Sequence, residues 1–208
     1  MSLNNEQIER YSRQILVIGG FAQERLLASG LAVFGSAPVI EPALRYLVGA
    51  GVGRIWLHLT SADNAVCDQL IAHLRALNSR VTIESEVSGS DRPNLHLIID
   101  RDREALALVG GRRSHRSDPT LVAVRLDPPA RIALIPPSDA LSSAAQAALS
   151  GPSQVPSPQT RRTDTRGFVI MVAVTEVLKI LAAGTAPTET TVIDFEGYEA
   201  RLTRLTPA

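Results

Sequence analysis

Apolar residues fall in short blocks divided by polar turns, and the spacing within the blocks alternates between two periods. Residues 6–29 have helical spacing, EQIERYSRQIL and FAQERLLAS, with a break at Gly19–Gly20. LAVFG (31–35) is a short apolar run and reads as a strand. PVIEPALRYLVGAG (38–51) returns to helical spacing, with Pro38 suited to a first turn. RIWLHL (54–59) predicts a strand with Ile55, Leu57 and Leu59 on one face and Trp56 and His58 on the other. AVCDQLIAHLRALN (65–78) predicts an amphipathic helix whose apolar stripe is Val66, Leu70, Leu74 and Leu77. VTIESEV (81–87) alternates as an outer strand does, and LHLIID (95–100) is an apolar strand ending in an acid. A short helix EALALVG and two strands, TLVAVRL (120–126) and RIALIPP (131–137), follow.

Residues 138–166 are rich in Ser, Pro and Ala, a composition that predicts a flexible crossover loop. GFVIMVAVTEVLKILAAG (167–184) then predicts a helix capped by Gly184. It is short for a membrane span and carries Glu176 and Lys179, so a buried core helix is expected and no membrane. TTVIDFEGYEARLTRL (190–205) predicts a terminal antiparallel hairpin turning near Glu196–Gly197. Strands alternating with helices imply an α/β, Rossmann-like fold: a mainly parallel sheet covered by helices, with an N-terminal helical segment. Residues 1–208 read as a single domain.

Composition narrows the chemistry. Lys plus Arg and Asp plus Glu are 21 each, so no global charge draws the chain to nucleic acid or anionic lipid. Aromatics are 4%, too few for base-stacking platforms; no nucleic acid is expected as partner. Cys67 stands alone, which excludes an internal disulfide and a cysteine-based metal knuckle. No metal site is expected. The residues before the first strand are polar and charged, without a signal-peptide pattern, so the expected compartment is the cytoplasm.

The order of the blocks resembles the ThiF/MoeB family, the adenylating domain shared with ubiquitin-activating enzymes. ERYSRQI (9–15) resembles its N-terminal RYxRQ box, and FAQERLLASGLAVFG its approach to the first strand. YLVGAGVGRIWL matches LxxAGVGxxxL, and LNSRVTIE resembles LNPxVxV. LHLIIDRDRE and VTEVLKILAAGTAP…VIDFEG fall where the family has its magnesium acid and its last helix and strand. The resemblance implies a protein that adenylates the C-terminal carboxylate of a ubiquitin-like or sulfur-carrier protein with ATP and magnesium. It also implies a dimer, and an arginine at Arg13 reaching toward the partner chain's nucleotide.

Residue by residue, the nucleotide motif departs from that pattern. GSAPVIE keeps Gly35 of a glycine-rich turn, while Ala37, Pro38 and Ile40 stand at the other positions and Glu41 follows. Pro38 removes an amide donor, Ile40 brings a branched side chain to a close contact, and Glu41 puts a carboxylate in the first turn. The same residues also read as ordinary helix-start chemistry. Leu59 takes the place of the acid for the ribose; Asp63 is within reach of a ribose or caps the next helix. No lysine occurs between Leu57 and Asp100, so the cations of the family's phosphate site are missing. Arg75 is expected to be a solvated charge, and each histidine structural or superficial.

The resulting expectation is a degenerate member that no longer adenylates and serves as a dimeric partner or scaffold, a homodimer or a heterodimer with a ThiF-like homologue. No cofactor is expected. In the alternative, an active divergent adenylyltransferase binds ATP and magnesium through Arg13, Asp100 and the Gly35–Ser36–Ala37 turn, with Asp63 at the ribose. A further alternative is a small-molecule binding module using the crevice at the carboxyl ends of the strands.

Overall fold

The computed structural model describes residues 3–60, 64–85, 92–100, 119–127, 129–137, 163–196 and 199–205. The helices are α1 (Asn5–Arg10), α2 (Ser12–Ile18), α3 (Gly20–Ala28), α4 (Ala37–Ala50), α5 (Asn64–Leu77) and α6 (Thr163–Ala183). The strands are β1 (Gly30–Gly35), β2 (Arg54–Leu59), β3 (Thr82–Glu84), β4 (Leu95–Ile99), β5 (Thr120–Arg125), β6 (Ala130–Ile135), β7 (Thr190–Glu196) and β8 (Glu199–Leu205). All eight strands form one sheet in the order β3-β2-β1-β4-β5-β6-β7-β8. Pairings from β3 through β5 are parallel, and those from β5 through β8 are antiparallel.

The expected α/β, Rossmann-like class with a C-terminal hairpin is what the chain folds into. The antiparallel part is larger than the hairpin alone. Four residues join β5 to β6, too few for a crossover helix, so the chain turns straight back. β3 is shorter than VTIESEV suggested and forms one edge of the sheet.

Alternation along the strands divides the apolar residues between two faces. One face, with Leu31, Val33, Ile55, Leu57, Leu97 and Val124, packs under α3, α4, α5 and α6 in the main core. Each such side chain, fully buried, contributes about 1.5–3 kcal/mol. The other face carries a second cluster that includes Phe34, Trp56, Ile98 and Ile135.

The N-terminal box is tied down inside the chain. Tyr11 is buried, and its hydroxyl accepts a hydrogen bond from Asn78 Nδ2 at 2.9 Å. Asn78 Nδ2 also donates to the Val48 carbonyl at 2.9 Å, and Arg10 Nη2 to the Leu77 carbonyl at 2.7 Å. Gly51, the αL cap of α4 with φ 83°, makes room: a Cβ there would lie 2.6 Å from the Tyr11 hydroxyl.

Several expectations need correction. The N-terminal helical segment breaks at Tyr11 as well as at Gly19, because the buried Tyr11 ring sets a new direction. α6 starts at Thr163, so residues 163–166 belong to a helix and not to the 138–166 loop; residues 138–162 lie outside the described residues. The buried stripe of α5 is Leu70, Ile71 and Leu74, while Val66 and Leu77 are 45% and 46% exposed. Arg75 is exposed, as expected of a solvated charge, and its Nη2 also donates to the Ile83 carbonyl of the edge strand at 2.8 Å. The helix expected over EALALVG lies outside the described residues.

Candidate functional site at the strand switch point

Strand order reverses between β1 and β4, which places a crevice at their carboxyl ends, where open parallel sheets bind ligands. Gly35 ends β1 and Asp100 follows β4, so topology brings two of the sequence candidates to this crevice. Ser36 and Ala37 continue into α4. Asp63 lies outside the described residues.

The turn from β1 to α4 is filled by protein. Gly35 has φ 149°, and a Cβ there would lie 2.5 Å from Ile40 Cγ2 and 3.0 Å from the Ile99 carbonyl oxygen. Glycine is therefore required by Ile40, which is fully buried and packs into the main core. The Gly35 carbonyl accepts from the Thr60 N–H at 3.1 Å. At the start of α4, Pro38 has no N–H, and the Val39 and Ile40 N–H groups point at the Ser36 carbonyl at 3.0 and 3.1 Å. Ala37 is left as the first-turn N–H with no partner among the described residues. The Ser36 side chain makes no capping bond. A triphosphate needs several converging donors and close approach of the backbone. This turn offers the Ser36 and Ala37 N–H groups and the Ser36 hydroxyl, while Pro38 brings no donor and the buried Ile40 occupies the space above Gly35.

Glu41 is the fifth residue of α4, beyond the first turn, so the expected carboxylate at the helix start is not there. It pairs with Arg45 at 2.6 Å and lines a groove between α4 and α5 instead. Leu59, in the place of a ribose acid, is partly buried against the main core.

Asp100 has φ 69°, the one positive value among the described non-glycine residues. Its N–H donates to the Val124 carbonyl at 3.0 Å, and its carboxylate makes no ion pair among the described residues. A strained acid at the carboxyl end of a parallel strand is where function concentrates. One register step beyond the Ile99–Val124 pair sits Arg125, an arginine 1% exposed. The run TLVAVRL carried this arginine, but nothing in its strand pattern marks it as buried.

Arg13, on α2, is exposed and makes no hydrogen bond or ion pair among the described residues. It is remote in sequence and element from the crevice of its own chain. Tyr11 and Arg10 hold the box to α4 and α5, so two of its residues have a structural role within the chain.

The fold joins two histidines that looked scattered. His58 stacks on Phe34 with ring centroids 4.3 Å apart, and His96 meets the same ring edge-on at 5.7 Å. Cys67 is half-buried against the main core, and burial, with Asp68 secondary, pushes its thiol up. No group of three His, Cys, Asp or Glu among the described residues is placed to hold a metal ion. No helix among the described residues is long and apolar enough to cross a membrane.

Comparison with known proteins bears on this crevice. No family model matches the chain. It is 29% identical over 118 residues to the SAMP-activating enzyme E1 of Haloferax volcanii, covering 48% of this chain and 44% of that one. It is 40% identical over 57 residues to the sulfur carrier protein adenylyltransferase of Thermus thermophilus, covering 26% and 21%. The chain thus spans less than half the length of these curated relatives. Among solved structures, E. coli MccB with ATP has a TM-score of 0.64 at 12% identity, covering 98% of this chain and 71% of that one. That likeness is one of fold. The sequence matches and the shared fold together support membership of the ThiF/MoeB/E1-like family, as the motifs implied. By name, the first of these relatives is an activating enzyme and the second an adenylyltransferase of a sulfur carrier protein.

Proposed function

We propose that this chain is a ThiF-like subunit that has lost ATP-dependent adenylation and works as a dimeric partner or scaffold, with itself or with an active homologue. The observation that carries the reading is Ile40, packed 2.5 Å from where a Gly35 Cβ would stand, in the turn that would otherwise admit phosphates. Pro38 supports it by removing a donor. Exposed Arg13 is in keeping with a residue offered to another chain. A ubiquitin-like or sulfur-carrier protein is then bound by the assembly rather than by this chain's crevice, in the cytoplasm.

The test is ATP–pyrophosphate exchange by the purified chain with sulfur-carrier proteins. No exchange above the protein-free rate is expected, and clear exchange from this chain alone removes the reading. A second reading, a divergent active adenylyltransferase, is favoured by Asp100, whose backbone is strained and whose carboxylate makes no ion pair among the described residues at the switch point. Titration calorimetry with ATP and magnesium separates the two: no heat of binding is expected under the first.

A further inference from the structure

We propose that the groove between α4 and α5 is a small-molecule site, and that its ligand is a free apolar α-amino acid. None of the crevice residues Gly35, Ser36, Ala37 or Asp100 lines this groove, so the proposal holds whether or not the chain adenylates.

The groove has a volume of about 720 Å³, within the range of pockets that hold small ligands. Its floor is apolar. Leu70 and Leu74 are buried there, and Tyr46 and Leu77 stand exposed beside them.

Gly49 keeps this space open. It lies inside α4 and lines the groove, and a Cβ built on it would meet nothing within 4 Å. It is not among the glycines with positive φ. Neither backbone conformation nor close packing therefore calls for glycine here. Inside a helix glycine is less stable than alanine, because its backbone loses more freedom on folding. A larger side chain at this position would project into the groove. The helix carries that cost where the groove needs to stay unfilled.

The charges select the occupant. On the α4 wall Arg45 Nη2 donates to Glu41 Oε1 at 2.6 Å, so one cation and one anion stand side by side. Together they carry no net charge, which suits a ligand that is neutral overall. The pair is exposed, its side chains 62% and 35%, so it is weak and open to a competing partner. His73 lines the α5 wall. α4 and α5 follow the parallel neighbours β1 and β2 and so run the same way. Arg45 is the ninth residue of α4 and His73 the tenth of α5, which sets them at about the same height. An α-amino acid carries an ammonium and a carboxylate on one carbon, as close together as Glu41 and Arg45 are. Its ammonium donates to Glu41, its carboxylate accepts from Arg45 and His73, and its apolar side chain lies along Leu70, Leu74 and Leu77. A peptide end carries only one of the two charges, and a fatty acid only the negative one, so neither matches the pair.

The experiment is titration calorimetry of the full chain with L-phenylalanine, L-leucine, L-phenylalaninamide and N-acetyl-L-phenylalanine. The amide lacks the negative charge and the acetyl compound the positive one, as the two ends of a peptide do. Saturable binding of a free amino acid is expected, with each phenylalanine analogue about tenfold weaker or more, since each loses a charged hydrogen bond. Two variants, confirmed as folded by circular dichroism, locate the site. Gly49→Leu fills the groove and is expected to abolish binding. Arg45→Gln, a change at an exposed side chain, is expected to weaken L-phenylalanine about tenfold and to erase its advantage over the amide. No saturable heat with either amino acid, an analogue that binds as tightly, binding that survives Gly49→Leu, or binding unchanged by Arg45→Gln each overturns the proposal.

Discussion

Ile40 shows how one side chain can change what a turn is able to do. In a dinucleotide-type turn the glycines exist so that backbone and phosphate can meet. Here the space above Gly35 belongs to a core residue, Ile40, with the Ile99 carbonyl beside it, and a side chain at position 35 would meet both. Asp100 is the counterweight. Its φ of 69° costs a side-chain-bearing residue about 1–2 kcal/mol, least for Asp or Asn. Asp100→Asn is therefore expected to leave stability unchanged and Asp100→Val to lower it by more than that cost, as read from urea midpoints. The substitutions in GSAPVIE were legible in the sequence, since each is a matter of residue type. The strain at Asp100 was not, because it arises where the chain leaves β4 and bonds to Val124.

At the scale of elements, α1 and α2 are held by a few polar contacts and bury no residue of their own, whereas α3 buries Leu26 in the main core. Tyr11 with Asn78, Arg10 with the Leu77 carbonyl, and an exposed pair between Glu6 and Arg80 attach the first two. The hydrogen bond from Arg80, then its charge, holds the Glu6 carboxyl below its usual value. A carboxyl depressed in the folded chain stabilises above its unfolded value and loses that contribution as pH falls through the folded one. The stability gap between the unaltered chain and Glu6→Gln is thus expected at neutral pH and should close in acid, which denaturant melts across pH can follow. The pair is fully solvated, so the gap is small and shrinks with salt. Element types were readable from periodicity almost throughout. Helix faces were read less well: Ile71, not Val66 or Leu77, completes the α5 stripe, because α4 and β3 decide which side of α5 is covered.

For the whole molecule, the sheet keeps its Rossmann-like half and spends its second half on antiparallel strands. If the chain pairs with itself, stability must depend on protein concentration, because mass action favours the associated folded state. The melting temperature is then expected to rise with concentration for the purified chain. The amino-acid sequence by itself determined the alternation of strand and helix, the family motifs and the residue types of the GSAPVIE turn, since all of these are properties of local order along the chain. The tertiary structure alone decided that Ile40 fills the turn, that Asp100 is strained, that His58 and His96 share one ring, and that Arg45 and His73 line one groove. Those are contacts between residues far apart in sequence, and no local pattern encodes which distant surface a side chain will meet.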